Sequence, residues 1–146
     1  MKIAIGNDHR GWRLKKKVMS YLVDKGINVQ DHGGHSEESC HFPEFGVKVV
    51  NDLLENKADR AVLICGSGIG MSIIANRFSG IRAALCDNVK KAEMSRLHND
   101  SNVLCLAADF IDEGEALKCV DIWLETDFLG DKYQMRNEMI EKLSQC

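Results

Sequence analysis

Short apolar runs alternate with stretches of helical period along the whole chain. Residues 2–6 (KIAIG) read as a buried strand, and residues 10–25 follow with Leu14, Val18, Tyr21 and Leu22 on one helical face. Residues 27–31 (INVQD) form a second strand. A polar loop, HGGHSEESCHF, then leads to Pro43, which suits the first turn of a helix, with Val47, Val50 and Leu54 at the spacing of its inner face. Residues 60–65 (RAVLIC) are the third strand, running into GSGIG and a short helix around residues 72–78. Residues 81–86 (IRAALC) are the fourth strand, 88–97 a helix and 103–107 (VLCLA) the fifth strand. Two helices close the chain at about residues 113–125, with Ala116, Val120, Trp123 and Leu124 facing inward, and 132–143.

Strands that alternate with helices, several of them apolar on both faces, predict a five-stranded parallel sheet covered on both sides. The expected fold is thus α/β, one doubly wound (Rossmann-like) domain spanning residues 1–146. In such sheets ligands bind beyond the carboxyl ends of the strands. That rule singles out Asn7, Asp8 and His9, the loop 32–42, residues 65–70, Asp87 and residues 108–112.

Composition narrows the function classes. With 19 Lys and Arg against 22 Asp and Glu, a formal net charge of −3 in 146 residues, the chain lacks the positive excess that tracks a nucleic-acid backbone. No apolar run approaches the roughly 20 residues of a membrane span, and MKIAIGNDHR does not read as a signal peptide. The cysteines, Cys40, Cys65, Cys86, Cys105, Cys119 and Cys146, contain no CxxC pair, so the expectation is reduced thiols in the cytoplasm. His32, His35, Cys40 and His41 are metal-ligand types with irregular spacing, and no metal is expected there.

The densest chemistry is ICGSGIGMSIIANR. Gly66, Gly68 and Gly70 allow a tight turn whose backbone N–H groups converge, the makings of an anion hole. A dinucleotide fingerprint fits poorly, because the third glycine falls one position early and the loop follows the third strand. Cys65 ends that strand and opens the loop, where N–H dipoles favour a thiolate that can act as a base. Ser67 can donate a hydroxyl hydrogen bond to a bound oxygen. His98, among Asn99, Asp100 and Asn102, is a candidate general acid/base, placed by this reading in the same crevice. Asp8 and His9 end the first strand, where a carboxylate can orient an imidazole or accept a sugar hydroxyl. Lys132 and Arg136 share one face near the start of the last helix, an arrangement easier to understand with a bound anion.

Four stretches carry a family resemblance: NDHRGWRLK, GGHSEESCHFPEFG, LICGSGIGMSIIANRFSGIRAAL and SRLHNDSNVLCLA. The chain resembles the ribose-5-phosphate isomerase B and galactose-6-phosphate isomerase family over nearly its whole length. The resemblance implies a cofactor-free and metal-free aldose–ketose isomerase acting on a small sugar phosphate through a cis-enediolate. It assigns Cys65 as the base, residues Gly66, Ser67, Gly68, Ile69 and Gly70 to the enediolate oxygens, and His98 to ring opening. It also assigns Asp8, His9 and Asn99 to the sugar and Lys132 with Arg136 to the phosphate. It further implies a homodimer or homotetramer whose active site draws on two subunits. Departures from the family pattern are Asp109 in place of an arginine, Lys132 and Tyr133 in place of arginine and histidine, and His41 and Phe42 in place of aspartate and tyrosine. They keep open an isomerase of another sugar, with Asp109 pairing a sugar hydroxyl or Lys132, as well as a binding module without turnover.

Overall fold

The computed structural model describes residues 1–143, so Cys146 lies outside the described residues. The chain runs β1 (Lys2–Asn7), α1 (Trp12–Asp24), β2 (Asn28–Asp31), α2 (Phe42–Leu54), β3 (Arg60–Cys65) and α3 (Ile69–Ala75). It continues β4 (Ala83–Leu85), α4 (Val89–Asn99), β5 (Val103–Ala107), α5 (Glu113–Glu125) and α6 (Lys132–Leu143). All strand pairings are parallel, in the order β2-β1-β3-β5-β4. The expected doubly wound sheet is therefore the observed one.

Both faces of the central strands are buried, which is why they read as continuous apolar runs. On one face Ile3, Ile5, Val62, Ile64, Leu104 and Leu106 meet Leu14 and Val18 of α1, Ala92 of α4 and Val120 and Trp123 of α5. On the other, Ala4, Leu63, Val103 and Cys105 meet Val49 and Val50 of α2 and Met71 and Ala75 of α3. Helices after β1 and β3 thus depart to opposite faces. Between those neighbouring strands lies a crevice at their carboxyl ends, where doubly wound folds place ligands.

Several elements differ from the sequence reading. In α2 the buried positions are Gly46, Val49, Val50 and Asp52, while Leu54 is exposed and Val47 half-buried. The cause is Gly46: a Cβ there would stand 2.7 Å from Ile74 Cγ2, so the bare backbone lets α2 lie against α3 and rotates the helix accordingly. Helix α3 begins at Ile69, three residues before the expected start, because Gly68 turns the chain with φ +72°. Strand β4 is only Ala83–Leu85, since the Arg82 N–H is taken by the Asn102 side chain at 2.8 Å. Tyr21 packs against the edge of the core, half-buried, and donates its hydroxyl to Asp121 of α5 at 2.7 Å.

Trp123 anchors a buried polar knot at the amino ends of the strands. Its indole N–H donates to Ser101 Oγ at 2.8 Å, which also shares a proton with Ser95 Oγ at 2.8 Å. The Ser101 carbonyl accepts Arg96 Nη1 at 2.6 Å. Trp123→Ala removes a fully buried side chain and leaves Ser101 a partner short, so it is expected to cost about 3–5 kcal/mol in chemical denaturation. A loss below about 1 kcal/mol would contradict this account of the core.

Candidate active site

Cys65 is the last residue of β3, almost entirely buried, and its carbonyl accepts the Ala108 N–H at 2.9 Å. The 66–70 loop follows at once. Gly68 has a left-handed φ of +72°, and a Cβ there would collide with Leu85 Cδ1. Ser67 Oγ accepts the Ile69 N–H at 3.2 Å, which braces the loop and leaves the hydroxyl proton available to a bound oxygen. Three other thiols, those of Cys86, Cys105 and Cys119, are poor bases. Burial pushes Cys86 up to about 11, Cys119 up to about 12 and Cys105 further still.

Asp8 and His9 stand beside this loop at the end of β1, with the Asp8 N–H on the Ile64 carbonyl at 3.2 Å. The expectation that Asp8 orients the imidazole is not met. Asp8 Oδ1 instead accepts the backbone N–H groups of Arg10 at 2.9 Å and Gly11 at 3.0 Å, pinning the turn into α1. His9 Nδ1 accepts the Cys40 N–H at 3.3 Å, with Cys40 Sγ at 3.9 Å. That bond leaves the neutral ring's proton on Nε2. The backbone of Cys40, a residue with no role in the sequence reading beyond that of a reduced thiol, therefore sets this histidine. The other second-loop residues disperse: His32 Nε2 meets Asp52 at 2.5 Å and His35 Nδ1 lies 3.7 Å from Asp31.

Asp109 rests on the glycine loop, its N–H donating to the Gly66 carbonyl at 3.0 Å. Its partner is Arg10, whose Nε and Nη2 both reach Oδ2 at 2.5 Å. Within the chain Asp109 is thus paired with Arg10, and Lys132, one of the two partners the sequence left open for it, lies elsewhere.

His98 lies elsewhere. It is in the last turn of α4, which ends before β5 begins and so stands at the amino ends of the strands. Cys65 pairs with Ala107, whereas the turn after His98 leads into Val103, which pairs with Ala61. Four residues of strand, on the order of 13 Å, separate the two levels. The shared crevice expected from the sequence does not exist within one chain. At the amino end His98 does find company: its ring stacks on Tyr133, centroids 4.2 Å apart and planes 7° from parallel. Lys132 Nζ and Arg136 Cζ flank the same Tyr133 ring at 5.2 and 5.5 Å. Asn99 lines the adjoining cavity of about 420 Å³, with Arg82, Ser95, Ser101 and Glu141.

The candidate residues thus form two half-sites at opposite ends of the sheet, one with a thiol and N–H donors, the other with an imidazole and two cations. Profile comparison decides the lineage: the ribose/galactose isomerase profile matches residues 3–140. The chain belongs to the ribose/galactose isomerase family. Within that family it is 39% identical to the ribose-5-phosphate isomerase B of Escherichia coli K12 over 144 residues, covering 99% of this chain and 97% of the relative. Among solved structures, the Clostridium thermocellum ribose-5-phosphate isomerase B superposes with a TM-score of 0.98 at 42% identity, covering 99% of this chain and 98% of that one. The Mycoplasma genitalium ribose-5-phosphate isomerase B, solved with bound ribulose-5-phosphate, superposes at 0.95 with 35% identity, covering 99% and 96%.

Two contacts, the Tyr133 stack on His98 and the Arg10–Asp109 pair, escaped the sequence reading. Tyr133 supports His98 from 35 positions away, a distance no local pattern reports. Arg10 and Asp109 are opposite charges just beyond the carboxyl ends of β1 and β5, the two strands that flank β3, and that complementarity was the available signal.

Proposed function

We propose that this protein is an aldose–ketose isomerase that interconverts ribose 5-phosphate and ribulose 5-phosphate. The observation that carries the reading is Cys65 at the end of β3, directly before the 66–70 loop, in a family whose Mycoplasma genitalium member was solved with ribulose-5-phosphate. His98 opens the furanose by delivering a proton to the ring oxygen as that oxygen's bond to C1 breaks, while the anomeric hydroxyl gives its proton up to solvent and becomes the aldehyde carbonyl. The Cys65 thiolate then takes the C2 proton of the open aldose, and the electron pair left behind forms the C1–C2 double bond while the carbonyl oxygen becomes anionic. Backbone N–H groups of the loop and the Ser67 hydroxyl hold that oxygen, their dipoles already aimed where charge develops. A proton then passes from the C2 hydroxyl to the C1 oxyanion, and as Cys65 returns its proton to C1 the negative C2 oxygen collapses to the ketose carbonyl, which completes the isomerisation. Asp8, His9 and Asn99 position sugar hydroxyls, and Lys132 with Arg136 holds the phosphate.

A second copy of the chain completes each site in this scheme, bringing its His98, Asn99, Lys132 and Arg136 to the Cys65 of the first. Two features support this arrangement. The half-sites lie at opposite sheet ends, and large apolar side chains are exposed near both: Ile69, Ile73 and Leu85 by the loop, Met135, Met139 and Ile140 on α6. The protein works in the cytoplasm, where the five described free cysteines stay reduced.

The deciding assay is turnover on a panel of pentose, hexose and tetrose phosphates and the free sugars. Ribose 5-phosphate is expected to lead in kcat/KM by about tenfold or more. A hexose phosphate or free sugar in the lead would move the activity to another substrate. Tight NAD or ATP binding with no isomerisation would replace it with a nucleotide-binding module.

A further inference from the structure

The pair Arg10–Asp109 has no part in the scheme so far, yet it stands on the glycine loop. Arg10 follows Asp8 and His9 directly, and the Asp8 bonds to the Arg10 and Gly11 N–H groups fix the turn from which it projects. Its stem crosses Gly66: a Cβ at that position would lie 2.9 Å from Arg10 Nε, 3.0 Å from its Cδ and 2.8 Å from Asp109 Oδ2. Gly66 does not have a positive φ. Any side chain at this position would have to displace the ion pair, so the bare backbone leaves room for it.

Fold stability does not account for the pair, because the Arg10 side chain is 58% exposed and such surface pairs contribute little. Its geometry is more informative. Asp109 takes the Nε–H and one Nη2–H, which leaves three of the five guanidinium donors, and among the described residues only Asp109 accepts from Arg10. The orienting carboxylate is itself fixed to the loop by the bond from its N–H to the Gly66 carbonyl at 3.0 Å. A guanidinium so held is a preformed fork, the geometry that grips a phosphate by parallel hydrogen bonds. An uncompensated Asp109 at the same place would repel one.

We propose that Arg10 is a substrate-contacting residue that sets selectivity for phosphorylated sugars, its guanidinium aimed over the glycine loop by Asp109 to receive the phosphate. The proposal rests on the isomerase reading above. Since the phosphate is the substrate's one charged group before proton transfer, losing the contact raises KM more than it lowers kcat.

The test is steady-state kinetics with ribose 5-phosphate, and inhibition by inorganic phosphate, for the wild type, Arg10→Ala and the double variant Arg10→Ala/Asp109→Ala. Arg10→Ala is expected to raise KM and the phosphate inhibition constant about tenfold, with kcat within about threefold. The double variant is expected to stay at least about fivefold above the wild type. Return of the double variant to the wild-type KM overturns the contact, because Arg10 would then only neutralise Asp109. A single variant unchanged within about twofold overturns it as well. If the wild type isomerises no sugar phosphate, the isomerase reading fails separately, and calorimetric titration of inorganic phosphate into the same three proteins judges Arg10 by the same ratios.

Discussion

Cys65→Ala is expected to lower turnover of ribose 5-phosphate by about a thousandfold, in line with removal of a positioned base, while the substrate dissociation constant stays within about threefold. The asymmetry follows from the site's construction. The thiol supplies the proton transfer, whereas the 66–70 loop is fixed by other means: the left-handed turn at Gly68, the Ser67 brace on Ile69 and the backbone bonds of Ala108 and Asp109 to residues 65 and 66. Alanine fits the buried position, so the fold and loop persist. Titration calorimetry with ribose 5-phosphate on the variant, beside coupled kinetics, checks both halves. Near-normal turnover would remove Cys65 from the role of base, and lost binding would mean that the thiol holds the substrate instead.

The second large effect concerns the separation of the half-sites. Cys65→Ala and His98→Asn are each expected to be inactive alone and to recover activity when mixed. In a two-fold dimer with sites shared across the interface, a mixed dimer has one site carrying both substitutions and one carrying neither. Random exchange gives about half mixed dimers, and therefore about a quarter of wild-type activity. The experiment is unfolding and refolding the two variants together, with activity followed against mixing ratio. No recovery, with exchange verified by a mass tag, would place both residues of a working site in one chain and refute the shared arrangement.

The amino-acid pattern reports the layered fold well because the buried strands are apolar without interruption. Arg60–Cys65 and Val103–Ala107 have the boundaries their runs predict, as do Glu113–Glu125 and Lys132–Leu143. It fails where a contact from another element decides. Val47 and Leu54 read as an inner face because periodicity cannot see that Gly46 seats α2 on Ile74. For the site, residues contiguous with Cys65 were legible, since a loop after a parallel strand has a known address. His98 was given the wrong end of the sheet: adjacency to β5 was noticed, but it precedes that strand, and the polarity of a parallel sheet sends preceding turns to the amino side. The Cys40–His9 bond and the Tyr133 stack join residues 31 and 35 positions apart. No spacing rule reaches that far.

The knot around Ser101 has a bearing on motion. The turn after His98 is tied down from three directions, by Arg82 on Asp100, by Arg96 on the Ser101 carbonyl and by the Trp123 indole on the Ser101 hydroxyl. The imidazole therefore stands beside a turn held by three side-chain anchors, while the glycine loop hands over to α3, a helix of only 7 residues. Both ends of the site are thus held before a sugar arrives, the imidazole by these side-chain anchors and the 66–70 loop by its own backbone and Ser67 bonds.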